Sequence, residues 1–159
     1  MKSLLEYCES LPELKIESGV VVLREGEQSD QLFVLLEGAM EVYRGDDTIA
    51  MVADSGAVFG EMSVLLDMAH TANVRAARPS SLCVVNEARA FLSENPAFVL
   101  PIARMLASRL RNSTTYLVDM KRQFRDHSDH FAMVDQVLES MAHDQDQDFT
   151  PDEQLPADP

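Results

Sequence analysis

The chain has 159 residues, of which 46% are hydrophobic, enough apolar material for one domain with a buried core. Its 27 acidic and 13 basic residues leave a net charge of −14, which argues against general nucleic-acid binding because phosphate contacts need clustered lysine and arginine. No apolar run reaches the roughly 18 residues of a membrane helix. The N-terminus becomes acidic too early for a secretory signal, and Cys8 and Cys83 are far apart in sequence, so we expect a cytoplasmic protein without a disulfide framework.

The first half of the chain predicts one short helix followed by strands. Residues 3–11 carry apolar side chains at helical spacing, and Pro12 ends that helix. Short β-rich runs follow at residues 20–23, 32–36, 39–44, 48–52, 71–77 and 82–85. The turn signals that divide them contain Gly26, Gly38, Gly45 and Gly56. Strands of this length and spacing favour an antiparallel sandwich or barrel.

Beyond Asn86 the pattern becomes helical. Residues 87–94 suit a short helix, and Asn95-Pro96 has the form of a helix N-cap followed by proline. The long helix that follows has a heptad seam. Its main positions are Leu106, Leu110, Ser113, Leu117, Met120 and Phe124. A helix that packs only on its own domain usually has a wider apolar face, so we favour a homodimer through this seam over that simpler interpretation.

Two further segments follow the long helix. Residues 127–143 predict another amphipathic helix. Residues 144–159 are acidic, contain proline and have few apolar side chains, so we expect them to be disordered.

One stretch combines features that suit a small anion. Residues 58–76 read VFGEMSVLLDMAHTANVRA: a glycine, one helical turn, a loop and an alternating strand. Glycine lets the backbone approach a ligand closely, and the N–H groups that open a helix carry partial positive charge. Ser63 and Thr71 add hydroxyls, and the Glu61 carboxylate can accept hydrogen bonds from sugar hydroxyls.

This stretch resembles the phosphate-binding cassette of cyclic-nucleotide-binding domains, and its spacing matches that pattern without insertion. The family includes the catabolite activator protein, protein kinase A regulatory subunits and cyclic-nucleotide-gated channels. The resemblance covers about residues 11–124 and implies an α+β, mainly β fold. That fold is an antiparallel, jelly-roll-like β-roll with a short N-terminal helix, the cassette, and C-terminal helices including one long helix. We therefore expect a cyclic-nucleotide-binding-like domain at residues 1–125, an additional helix at 126–143 and an acidic tail at 144–159.

The resemblance also implies roles for individual residues. Glu61 resembles the carboxylate that holds the ribose 2′-hydroxyl. Gly60, Met62 and Ser63 resemble the donors around the cyclic phosphate, and Thr71 resembles the hydroxyl beside it.

The long helix adds two candidates. Ser113 and Thr114 resemble the paired hydroxyls of a long helix that meet the nucleotide base. The other interpretation is that they belong to the helix surface and the seam.

One position departs from the family pattern. His70 stands where the family carries arginine, whose planar fork and permanent charge suit phosphate. Histidine offers at most two donors, and near neutral pH mostly one. A charge-assisted hydrogen bond contributes about 1.5–3 kcal/mol, so its loss would weaken binding by roughly ten- to a hundredfold.

Two functions follow from these patterns. The first is a regulatory or sensor module that binds cAMP or cGMP, weakly because of His70. The alternative is a degenerate, ligand-free member that acts as a protein-interaction or dimerisation module. Either would act with an unidentified effector protein, and we expect no membrane contact. No nucleophile–base pair or metal set accompanies the cassette, so we expect no enzyme activity, cofactor or metal.

Two other classes are disfavoured. A DNA-binding factor needs a basic recognition helix, whereas the residues after Phe124 end in acid. A cupin-like metalloenzyme needs several histidines on barrel strands, whereas His70 alone lies in the β region and His127, His130 and His143 follow the long helix.

Overall fold

The computed structural model describes residues 3–124 and 132–143. The chain divides into two compact units between Arg104 and Met105. The first contains α1 (Leu4–Cys8), β1 (Glu13–Ile16), β2 (Val21–Leu23), β3 (Gln31–Arg44), β4 (Asp47–Val52), β5 (Val58–Phe59), α2 (Glu61–Leu66), β6 (Asn73–Asn86) and α3 (Ala88–Glu94). Helix α4 (Pro96–Gln123) begins in the first unit and ends in the second, which also contains α5 (Ala132–His143). The expected class, mainly β with a long C-terminal helix, is confirmed.

Two long strands form the centre of a six-stranded antiparallel sheet. Its order is β1-β6-β3-β4, with β2 also paired to β6 and β5 also paired to β3. Side chains alternate along a strand, and Phe33 of β3 and Val84 of β6 belong to the core inside the roll. Val34 and Cys83 are the neighbouring residues along these strands, so their side chains point to the opposite face, and they are buried as well. Because α1 packs on β3 and α3 packs on β6, the two strands are covered on both faces at these positions.

Two breaks predicted within the strands are wrong. Residues 32–36 and 39–44 belong to one continuous strand, β3, and residues 73–77 and 82–85 belong to β6, which begins two residues later than predicted. Gly38, expected in a turn, has a φ of +111° within β3, where the pairing with β6 shifts register. The Ser80 hydroxyl accepts from the Ala39 N–H at 3.1 Å and donates to the Arg78 carbonyl at 2.7 Å. A bulge therefore absorbs the irregularity without ending either strand.

The second unit pairs the end of α4 with α5 through an ion pair between Lys121 and Asp135. Within the part of the chain that the structure describes, no helix is long and apolar enough to span a membrane. The predicted helix start at 127–131 and the predicted tail at 144–159 lie outside the described residues. The domain boundaries at 125 and 143 therefore stay predictions.

We expect Gly38→Ala to lower the free energy of unfolding by about 3–4 kcal/mol in urea denaturation. An added Cβ would lie 2.1 Å from Ser80 Oγ and 2.6 Å from Ser80 Cα, and backbone cannot move aside cheaply. Gly19→Ala is the matched control, because Gly19 has a φ of +87° and nothing lies within 4 Å of its added Cβ. The control carries only the backbone penalty of about 1–2 kcal/mol. Equal losses in the two variants would contradict the steric explanation.

Candidate functional site

The cassette segment, residues 58–76, begins where β5 meets α2. Gly60 caps α2 with a φ of +90°. A Cβ at this position would lie 2.7 Å from the Gln31 carbonyl oxygen at the start of β3. Glycine is therefore required both for the backbone conformation and for the close approach of α2 to β3.

Helix α2 buries its polar side chains. Glu61 is 4% exposed and Ser63 is 1% exposed, whereas Met62 is 46% exposed. Charged carboxylates are rarely buried, and this one directly follows the glycine that caps α2, so Glu61 stays a candidate for ligand contact. Met62 points its side chain outward, so any ligand contact through it would use the backbone.

The hydroxyl of Ser63 closes the loop after α2. Ser63 Oγ donates to the Met68 carbonyl at 2.5 Å, and the Met68 N–H donates to the Ser63 carbonyl at 3.2 Å. The hydroxyl proton of Ser63 is thus used within the cassette itself. Thr71 is half-buried, and its carbonyl accepts from Arg44 Nε at 2.9 Å.

His70 is fastened to the loop that joins β2 to β3. Its N–H donates to the Glu27 carbonyl at 2.8 Å, and its carbonyl accepts from the Gly26 N–H at 2.9 Å. Its ring Nε2 lies 2.9 Å from Ser29 Oγ, and the residue is 7% exposed. Burial lowers the pKa of His70, and the negative charge of Glu27 opposes part of that shift. The imidazole is therefore mainly neutral at neutral pH.

Two arginines that follow the cassette loop are bonded elsewhere. Arg75 Nε lies 2.6 Å from Glu41 Oε2, and the guanidinium sits 4.4 Å from the centre of the Tyr43 ring. Arg78 Nη2 donates to the Gly38 carbonyl at 3.0 Å. Both guanidinium groups thus have partners on β3 and do not replace the arginine that His70 lacks.

The C-terminal end of α2 is bonded to the same loop and to α3. Asp67 Oδ1 accepts from Gln28 Nε2 at 2.9 Å and forms an ion pair with Arg89 Nη2 at 2.7 Å. The Arg89 N–H donates to Asp30 Oδ1 at 3.1 Å. Sequence analysis missed this support: residues 26–31 carried only a turn signal, and nothing local indicated which side chains they would meet.

Six predicted site residues therefore lie on one continuous segment that the β2–β3 loop supports: Gly60, Glu61, Met62, Ser63, His70 and Thr71. Ser113 and Thr114 lie on α4 in the second unit. Ser113 is exposed, and Thr114 Oγ1 donates to the Leu110 carbonyl at 2.9 Å. Their contact with a base stays a prediction.

Metal-ligating side chains do not gather within residues 3–124 and 132–143, where no group of three or more His, Cys, Asp or Glu could hold an ion. His127 and His130 lie outside the described residues.

Comparison with known proteins places this arrangement in a family. Residues 13–93 match the model of the cyclic nucleotide-binding domain. A cGMP-dependent protein kinase of Caenorhabditis briggsae is 32% identical over 85 residues, which are 54% of this chain and 11% of the kinase. This chain thus spans about a tenth of the length of that relative.

Solved structures agree with the family match. A cyclic nucleotide-binding domain from Methylobacillus flagellatus has a TM-score of 0.61 and 25% identity, covering 72% of this chain and 70% of that one. The catabolite activator protein of Thermus thermophilus has a TM-score of 0.62 and 21% identity, covering 74% and 59%; this second likeness concerns the fold alone. The chain belongs to the cyclic nucleotide-binding domain family, whose members are regulatory binding domains.

The lowered pKa of His70 makes stability depend on pH. The unfolded chain binds this proton more tightly than the folded chain does. The contribution of the neutral ring to the free energy of unfolding is therefore fully present above the unfolded pKa of about 6.5. It is lost as the pH falls from there through the folded pKa. We expect wild type to lose more free energy of unfolding than His70→Gln between about pH 7.5 and about pH 5.5, measured by urea denaturation. The other histidines are common to both proteins and cancel, so equal losses would contradict the buried, neutral ring.

Proposed function

We propose that the chain binds a cyclic nucleotide, cAMP or cGMP, at the cassette and acts as a regulatory module. The family match carries this proposal, because residues 13–93 include the whole cassette and the loop that supports it. The proposal assigns the chain no catalytic step. The ligand would act by shifting the population of conformations that the domain presents to a partner.

Two features of α2 support a site for a sugar phosphate. Gly60 removes the side chain at the start of the helix, where the backbone already approaches Gln31 closely. Glu61 places a buried carboxylate on the next residue, and a carboxylate accepts hydrogen bonds from sugar hydroxyls. In this proposal Glu61 holds the ribose, and the backbone of Met62 and Ser63 faces the phosphate.

His70 is the reason we propose weak binding. Its ring is mainly neutral and hydrogen-bonded to Ser29, so it supplies no permanent charge to an anion. The missing charge-assisted bond corresponds to about 1.5–3 kcal/mol. Arg75 and Arg78 have partners on β3, so neither restores that charge.

We expect His70→Arg to bind cAMP or cGMP roughly ten- to a hundredfold more tightly than wild type, measured by isothermal titration calorimetry near pH 7.5. His70→Gln is the matched control, since it is neutral and can still bond to Ser29, and we expect it to bind about as weakly as wild type. Absence of heat from all three proteins at millimolar nucleotide would overturn cyclic-nucleotide binding. Tight binding by His70→Gln would overturn the role of charge at this position.

The affinity of wild type is also expected to depend on pH. A bound phosphate favours protonated His70, so nucleotide affinity rises as the pH falls from the higher pKa of His70 in the complex toward its lowered pKa in the free protein. His70→Gln lacks that titration, and calorimetry near pH 8 and near pH 5.8 measures the difference. The same pH dependence in both proteins would show that His70 does not face the phosphate.

A second candidate function is a constitutive dimerisation or protein-interaction module. The neutral, internally bonded His70 favours it, together with the exposure of Leu110 at 49% and Tyr116 at 66% on α4. A ligand-free dimer that gives no heat with either nucleotide would favour this function over sensing.

Both functions use the proposed seam on α4. Leu110 is a large apolar side chain half exposed to solvent on that seam, and a glutamate there would leave an unpaired charge in a dimer interface. We expect Leu110→Glu to raise the dimer dissociation constant at least about a hundredfold in analytical ultracentrifugation. Asn112→Glu adds the same charge at an exposed position off the seam and is the control. A monomeric wild type, or equal weakening by both variants, would contradict the seam.

A further inference from the structure

The helix-covered face of the sheet brings together the two cysteines of the chain. Cys8 is the last residue of α1, and Cys83 lies within β6 between Glu13 of β1 and Val34 of β3. The two side chains are 6% and 0% exposed, and both are free thiols. The two thiols lie beside each other, close enough for each to shift the pKa of the other, although nothing in the sequence spacing indicates that they meet.

Helix α1 is capped at its start and contacts two other parts of the fold. Ser3 and Glu6 form a capping box at its start, with the Ser3 N–H donating to Glu6 Oε2 at 2.8 Å. Leu5 lies close to Gly56, and the Tyr7 ring meets the Phe98 ring edge-on at 5.6 Å. These contacts place Cys8, at the end of α1, beside Cys83 in the folded state.

The interaction between them makes the two thiols chemically unequal. It lowers the pKa of Cys8, against the opposing effect of burial, whereas it acts together with burial to raise the pKa of Cys83. The thiolate is the reactive form of cysteine, so Cys8 is the more nucleophilic sulfur. Oxidation of Cys8 removes its thiolate, whose negative charge contributes to the raised pKa of Cys83, and Cys83 can then attack the oxidised sulfur.

We propose that Cys8 and Cys83 form an oxidisable dithiol, which a peroxide converts into an intrachain disulfide that fastens α1 to β6. The Cys8 thiolate attacks one peroxide oxygen, the O–O bond breaks, and the departing hydroxide takes up the proton released by Cys8 to form water. The product is a sulfenic acid on Cys8. Cys83 Sγ then attacks that sulfur, the S–O bond breaks, and the hydroxyl leaves with the Cys83 proton as a second water. Both sulfurs together lose two electrons, and the peroxide is reduced to two waters.

Access to the buried pair requires α1 to open. Because α1 has only five residues, its local opening breaks few contacts and costs less free energy than global unfolding. After reclosing, Cys8 and Cys83 lie beside each other again, and the disulfide forms with an S–S bond length of about 2 Å.

Oxidation would also restrain the aromatic cluster around α1. Tyr7 and Phe91 of α3 both stack edge-on against Phe98 of α4, at 5.6 Å and 5.2 Å. A bond from Cys8 to β6 would therefore limit the movement of the helix ends that meet at Phe98. Because the bond closes a long loop in the unfolded chain, it also stabilises the folded state.

Hydrogen peroxide treatment of the folded, full-length chain tests this proposal. We expect both thiols to become resistant to alkylation after denaturation, with a mass loss of about 2 Da and no covalent dimer on a non-reducing gel. A tryptic digest is expected to contain the Cys8 and Cys83 peptides joined. Dithiothreitol reverses the change, and the oxidised form melts higher by roughly 5–15 °C.

Serine variants test the order of the two steps. Cys83→Ser keeps a hydrogen-bond donor beside Cys8 but removes the second sulfur, so dimedone is expected to trap a sulfenic acid on Cys8. Cys8→Ser leaves Cys83 buried, and burial by itself still raises the pKa of that thiol. We therefore expect dimedone to label Cys83 in this variant at least about tenfold more slowly than it labels Cys8 in Cys83→Ser.

Three results would overturn the proposal. The thiols could react only as fast as the protein unfolds globally, the disulfides could join separate chains, or Cys8 could become over-oxidised without forming a bond to Cys83. The wild-type peptide map decides the point even if a serine variant does not fold. Since no nucleotide is present, the outcome is independent of cyclic-nucleotide binding.

Discussion

The cassette depends on the short loop between β2 and β3. Two backbone hydrogen bonds join His70 to Gly26 and Glu27 on this loop, and Gly60 packs against Gln31 where the loop enters β3. These contacts hold both ends of the segment that carries the candidate ligand-binding residues. In the proposed function, the glycine at one end would decide how closely a ligand approaches, and the buried imidazole at the other would decide which charge it meets.

The same loop sets the electrostatics of the site. Burial against it keeps the His70 ring mainly neutral and bonds the ring to Ser29, whereas a cyclic phosphate is best held by a permanent positive charge. The deficit of about 1.5–3 kcal/mol is smaller than the roughly 8 kcal/mol of a micromolar complex. Losing this one bond would therefore weaken binding without abolishing it, which is why we propose a weak sensor that responds to pH over a cassette that has lost all binding.

Local patterns predicted much of the fold. The order of glycine, helix and alternating strand within residues 58–76 indicated an anion site, the match to the family pattern identified it as the cassette, and the heptads predicted the long helix. Contacts between segments that are distant in sequence could not be predicted in this way. Gly38 lies in a bulge because Ser80 faces it across the sheet, and the meeting of Ser29 with His70 likewise depends on tertiary packing. Cys8 and Cys83 show the same limit, since periodicity places each on its own element but cannot pair them.

The charge state of His70 with and without nucleotide tests the central claim most directly. Nuclear magnetic resonance titration of the ring nitrogens, assigned with His70→Gln, reports its pKa in both states. We expect a value below about 6.5 in the free protein and a higher value with saturating cAMP or cGMP, because a phosphate near the ring favours the imidazolium. An unchanged pKa, while backbone resonances of the cassette report that nucleotide is bound, would contradict the account.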